Sequence, residues 1–144
     1  MGSSNCLKVI FLDHAGVMCK GMPEVFAQFD LDAVYILNGL LRQTKIDIVI
    51  TSDWKRSCTL EYMQDFYKSQ GVIKSPIDFT IDYRGDLREQ RAAGILRWVD
   101  LHQPYKWVVV DDLDLQLINF VRTNPNVGIC EESIVKSILG YIEG

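Results

Sequence analysis

The run Lys8-Val9-Ile10-Phe11-Leu12-Asp13-His14-Ala15-Gly16-Val17 decides how this chain is read. Its apolar residues are continuous rather than alternating, and several are β-branched, as in a strand buried on both faces. The run stops at a carboxylate, and Gly16 lets the backbone turn away sharply. Asp13 therefore stands at the carboxyl end of a buried strand, where open α/β sheets place their ligands. The competing reading is an Asp that only caps the next turn.

Working outward, two further apolar runs end in polar residues. Segment 46–50 ends in Thr51-Ser52-Asp53-Trp54-Lys55, and segment 107–110 ends in Asp111-Asp112. Between them lie helical patterns. Residues 31–44 carry Val34, Leu37, Leu40 and Leu41 at helical spacing. Residues 59–69 are closed by Gly71, and residues 87–102 place Ile95, Leu96, Trp98 and Val99 on or near one face. A short third strand is expected at 76–82, a short helix at 115–121, an edge strand at 127–130 and a closing helix at 131–142. Residues 18–30, with Gly21 and Pro23, read as a loop or a small flap. Strands alternating with helices predict an α/β fold: a three-layer Rossmann-like sandwich, mostly parallel, with helices on both faces. The expectation is one domain over residues 1–144.

Composition sets the outer bounds. With 144 residues, 48% hydrophobic and 24% charged, the chain has the balance of an ordinary globular domain with room for a core. A net charge of −4 gives no strong nucleic-acid or membrane signature, although it does not exclude a local basic patch. No apolar run is long enough to span a bilayer, and no secretory leader is visible. Met1-Gly2-Ser3-Ser4 carries no weight in this reading. Cys6, Cys19, Cys58 and Cys130 are scattered without a CxxC pair, which argues against a disulfide framework or a zinc site and fits a reducing, cytoplasmic setting.

In a parallel sheet the polar strand ends Asp13, Thr51-Ser52 and Asp111-Asp112 lie on one edge. Carboxylates gathered there repel one another, and Mg²⁺ relieves that repulsion while keeping positions for water and phosphate. Thr51 and Ser52 offer donors to phosphate oxygens. Arg91 or Arg88, on the helix before the last acidic strand, would add a cation. Metal, donors, cation and a carboxylate nucleophile together make a site for phosphoryl transfer.

These motifs resemble the haloacid dehalogenase (HAD) superfamily of aspartate-nucleophile phosphatases. Asp13-His14-Ala15-Gly16-Val17 is similar to the first motif, Ile48-Val49-Ile50-Thr51-Ser52 to the second, Arg91 to the third and Val108-Val109-Val110-Asp111-Asp112 to the fourth. The nearest resemblance is to a small capless branch with Ser-Ser-Trp-Arg after the second strand and an Arg-Gly-x-x-Ile-x-x-Trp-Leu helix. Here these stand as Thr51-Ser52-Asp53-Trp54-Lys55 and Arg91-Ala92-Ala93-Gly94-Ile95-Leu96-Arg97-Trp98-Val99. Some members of that branch are associated with RNA-end repair. The resemblance implies an Asp13 nucleophile forming an aspartyl-phosphate, with Thr51, Ser52 and Arg91 on the phosphate. It also implies Mg²⁺ on Asp13, Asp112 and the Ala15 carbonyl, with Asp111 in or beside the coordination sphere. The substrate would be a phosphorylated small molecule or nucleic-acid end.

One departure stands out. Ala15 replaces the second Asp of the first motif, the family's general acid–base, a group typically worth ~10²–10⁴ in rate. Three explanations compete: slow turnover or substrates with good leaving groups, an inactivating replacement, and likeness to phosphonoacetaldehyde hydrolases, which also carry Ala there. The last needs a Schiff-base lysine from a cap. Residues 18–45 leave no room for a large one, and Lys20 is the only lysine in the flap. A silent phosphate-binding domain is the alternative from another class. His14, beside Asp13, is a candidate for substrate contact, although a lone histidine is more often structural or exposed. Trp54 and Trp98 read as packing residues, and Lys55-Arg56 as a solvated basic pair. An acidic pair also marks receiver domains, but there it lies on the first strand.

Overall fold

The computed structural model describes residues 6–143, so Met1-Gly2-Ser3-Ser4 lies outside them. The chain runs β1 (Lys8–Leu12), α1 (Leu31–Thr44), β2 (Asp47–Ile50), a 3₁₀ turn (Asp53–Ser57), α2 (Leu60–Ser69) and β3 (Asp78–Phe79). It continues through α3 (Leu87–His102), β4 (Lys106–Asp111), β5 (Phe120–Arg122), a second 3₁₀ turn (Gly128–Cys130) and α4 (Glu132–Glu143). The five strands form one sheet in the order β3-β2-β1-β4-β5, and every pairing is parallel. No helix among the described residues is long and apolar enough to cross a membrane.

The two-residue period of a strand sorts the sheet's side chains onto two cores. Ile10 and Leu12, Ile48 and Ile50, and Val108 and Val110 share one core with residues of α1, α2 and α4. Val9 and Phe11, Val49, and Val109 share the other with Ile95 and Trp98 of α3. Register enforces the sorting, since Leu12 sits beside both Ile50 and Val110. Phe11 meets Trp98 and Trp107 edge-on at centroid distances of 5.6 and 5.9 Å, contacts worth roughly 0.5–1.5 kcal/mol each beyond burial. Trp54 and Trp98 are both buried, as the sequence suggests.

Three local readings need correction. Segment 115–121 is not helical: the chain runs through a loop into β5. Leu113, Leu115 and Leu117 alternate rather than follow a helical period, and all three pack on the α3 side of the sheet. Left-handed φ angles at Gln116 (54°) and Asn119 (53°) interrupt any helix. Segment 127–130 holds a 3₁₀ turn rather than an edge strand, because the amides of Val127 and Gly128 both donate to the Asn124 carbonyl. Finally, the strand expected at 76–82 is shortened to Asp78–Phe79, flanked by the Ile77 and Thr80 amides donating to the Ile48 and Ile50 carbonyls.

Helix α3 approaches the segment after β3 closely. A Cβ on Gly94 would lie 2.4 Å from the Ile81 carbonyl oxygen, a backbone atom that cannot swing aside. Trp98 Nε1 donates to Asp78 at 2.8 Å and fixes the same helix one turn later. Gly94→Ala is expected to destabilise the fold by about 1–3 kcal/mol, the usual cost of overpacking, despite alanine's better helix propensity. Urea unfolding of the two proteins measures it, and equal midpoints would contradict the close approach.

Candidate active site

The sheet delivers three strand ends to one edge. The Asp13 amide donates to the Val110 carbonyl and the Thr51 amide to the Leu12 carbonyl, so the backbone pairing extends one residue past β1 and β2. Asp13, Thr51 and Asp111 continue the alternation that faces α3. There they meet Arg91, whose Nη1 lies 3.2 Å from Asp13 Oδ2 and 3.1 and 2.9 Å from the two oxygens of Asp111. Its Nη2 lies 3.7 Å from Asp53 Oδ1. Arg88, the other sequence candidate, is exposed.

Carboxylate oxygens of Asp13, Asp111 and Asp112 lie within 4.8 Å of one another. Asp13 is 1% exposed, and burial, then Asp111, push its carboxyl well above the usual range against the pull of Arg91. Burial likewise pushes Asp111 up despite Arg91. Burial works against the charge on Arg91, but Asp13 and Asp111 outweigh it and raise its pKa. The cluster thus holds more negative charge than one guanidinium offsets. Asp13 Oδ1 and Thr51 Oγ1 are buried with no hydrogen-bond partner, a costly condition for polar atoms unless a ligand meets them. These residues fit a divalent cation beside a phosphate.

The chain's turns are built around this cluster. Gly16 has φ of +75°, and a Cβ there would lie 2.6 Å from Asp112 Oδ2, so only glycine lets the Asp112 carboxylate close on the loop after β1. Thr123 Oγ1 donates to the Gly16 carbonyl at 2.7 Å, and Arg122 Nε to the Asp112 carbonyl at 3.0 Å. Ala15 is partly exposed beside them, in a single bridge with Cys19.

Two candidates take other roles. The alternation that turns Asp13 toward α3 turns His14 to the opposite face. There its ring is fully buried, packs near Phe29 and Trp54, and shares a 2.7 Å hydrogen bond with Tyr67 Oη. Burial, then Arg91, lower its pKa to about 3, and the buried ring packs as a structural group, the more common role for a lone histidine, rather than facing a substrate. Ser52 Oγ accepts from the Trp54 amide at 3.2 Å and caps the 3₁₀ turn, which leaves its hydroxyl proton to donate.

Two residues were missed. Lys55 is no solvated partner of Arg56: its side chain is 6% exposed, and Nζ donates to the Thr51 carbonyl at 3.0 Å, to Thr80 Oγ1 and to Asp82. It anchors the backbone that carries Thr51. Asp53 has no role in the sequence reading, yet it stands at the same edge on the far side of Arg91. The signal was present, as a carboxylate directly after Thr51-Ser52 at a strand end.

The chain matches, over residues 9–134, the family described as HAD domain in Swiss Army Knife RNA repair proteins. No curated protein and no solved structure matches it.

Two measurements test the geometry. Millimolar Mg²⁺ is expected to raise the unfolding temperature by mass action, and Asp112→Asn to weaken that rise. An unchanged transition in the parent protein would refute the metal site. The second concerns Asp82, where burial raises the carboxyl but hydrogen bonds from Lys55 and Arg56 overcome it, leaving its pKa below the ordinary value. Its stabilising effect is therefore present above the unfolded carboxylate range and fades as pH falls through its lower folded value. Asp82→Asn should be less stable near pH 7, with the gap narrowing below about pH 4. A gap independent of pH would assign the loss to packing alone.

Proposed function

The chain belongs to the HAD domains of Swiss Army Knife RNA repair proteins, and from that premise we propose that it is a Mg²⁺-dependent phosphohydrolase working through an aspartyl-phosphate on Asp13. The observation that carries the reading is the pair of unpartnered buried oxygens, Asp13 Oδ1 and Thr51 Oγ1, at adjacent strand ends beside Arg91. A substrate phosphate gives Thr51 an oxygen to donate to and Arg91 a further anion to hold. Asp13 then attacks phosphorus, and the bond to the leaving oxygen breaks. Asp13, Asp112 and Asp111 are the side chains that would hold Mg²⁺, with the Ala15 carbonyl as a further oxygen. Mg²⁺ supplies charge neutralisation at the phosphoryl oxygens. The family's occurrence in RNA repair proteins supports a phosphorylated nucleic-acid end as the substrate class.

Ala15 tunes this reading. No carboxylate stands at that position to protonate a leaving oxygen, so substrates whose leaving group is already stabilised are favoured. A silent phosphate-binding domain is the second reading, and the Ala15 substitution is the observation that favours it. Phosphonate cleavage, a third reading, needs a lysine free to form a Schiff base at the site; Lys20, the flap lysine, is a surface residue ion-paired with Asp32, and Lys55 is committed to Thr51, Thr80 and Asp82.

Steady-state turnover of alkyl and aryl phosphates decides among these. Ala15→Asp should raise alkyl ester turnover by about 10²–10⁴, and Asp13→Asn should abolish activity in both backgrounds. Folded protein without activity in either background would leave the silent domain as the answer.

A further inference from the structure

The missing carboxylate at position 15 leaves the second half of the reaction without an obvious proton acceptor. Water attacking an aspartyl-phosphate must lose a proton, and alanine cannot take it. The arrangement around Arg91 offers another group. Its guanidinium spans three carboxylates, with Nη1 on Asp13 and Asp111 and Nη2 toward Asp53. The one planar group contacts both Asp13 and Asp53, so a single guanidinium separates Asp53 from the nucleophile.

Asp53 differs from the other acids of the edge. Asp13 and Asp111 are buried and share Nη1, while the Asp53 side chain is 41% exposed. Its Oδ1 is buried and has no hydrogen-bond partner, only ion pairs at 3.7 Å to Arg91 and 4.0 Å to Arg56. One oxygen thus faces the guanidinium that touches Asp13, and the carboxylate as a whole keeps contact with solvent. Its backbone is held too: Asp53 opens the 3₁₀ turn capped by Ser52, two residues after Thr51. A proton taken at the site therefore has a route out.

Resting on the phosphohydrolase reading, we infer that Asp53 is the catalytic base of the dephosphorylation step, doing from the end of β2 what position 15 cannot do from the end of β1. Water oxygen bonds to phosphorus while the bond between phosphorus and the Asp13 oxygen breaks. Asp13 regains its carboxylate, inorganic phosphate departs, and the water proton passes to the Asp53 carboxylate and then to solvent. The first half-reaction makes no demand on Asp53 when the leaving group is an activated phenolate. The division predicts an enzyme whose two halves respond differently to one substitution.

Rapid mixing of 4-nitrophenyl phosphate and Mg²⁺ with the full chain tests this, using Asp53→Asn in the parent and in the Ala15→Asp background. In the parent background, Asp53→Asn should leave a burst of about one equivalent of nitrophenolate and then slow steady turnover by ~10²-fold or more. A phosphoryl adduct should build up on the peptide carrying Asp13, found by mass spectrometry after acid quench. Ala15→Asp should restore the turnover that Asp53→Asn removes. Equal losses in both backgrounds with no adduct would make Asp53 a mere support for Arg91 and overturn the inference, as would an unchanged steady rate. If Ala15→Asp turns over while the parent stalls as adduct with Asp53 intact, the inference falls and the phosphohydrolase reading stands. If neither background phosphorylates Asp13, both fall.

Discussion

A single guanidinium holds this site together. Arg91 is buried, touches the carboxylates at the ends of β1 and β4, and reaches toward the one after β2. Removing one partner from a buried charge cluster is typically expensive, because the remaining charges have no water to fall back on. Everything that fixes α3 therefore bears on the site: the bare backbone at Gly94, the Trp98 bond to Asp78, and the edge-on stack of Phe11 on Trp98. The helix is a support whose position the carboxylates read directly.

That cluster is also electrostatically incomplete by construction. Two of its acids, Asp13 and Asp111, are pushed upward by burial first and then by neighbouring carboxylates, Asp111 and Asp112 acting on Asp13 and Asp112 acting on Asp111. A fold selected for stability alone would replace one of these with an amide or an apolar residue. Retaining all three around one cation suits a site that spends part of its working cycle with additional positive charge, and perturbed groups of this kind gather where chemistry is done.

Much of this was legible in the sequence, for a physical reason. Strands buried on both faces must be continuously apolar, so β1, β2 and β4 announce themselves, and the polar residue that ends each one marks the functional edge. Arg91 was legible by its place on the helix before the acidic strand. What escaped was what depends on direction rather than identity. His14 is adjacent to Asp13 yet lands on the other face, because successive residues point to opposite sides of the sheet. Lys55 and Arg56 are neighbours in a short 3₁₀ turn and both reach Asp82, but only Lys55 is buried and bonds Thr80 and the Thr51 carbonyl. Leu113, Leu115 and Leu117 carry the signature of an extended segment, but so few residues between turns do not fix a period.

The central strand has a further consequence, which lies in the order of events as the chain is made. Strand β1 pairs with β2 on one side and with β4 on the other, and the register joins Leu12 to Val110. The β2 partner follows within one helix, whereas β4 is synthesised almost a hundred residues later. Until then the most apolar strand of the molecule has one open edge, and Asp13 has neither Arg91 nor Asp111 beside it. Long-range parallel pairing is slow to form and leaves such edges open to mispairing. The edge that gathers Asp13, Arg91 and Asp111 is therefore completed only when β4 docks, late in the order of the chain.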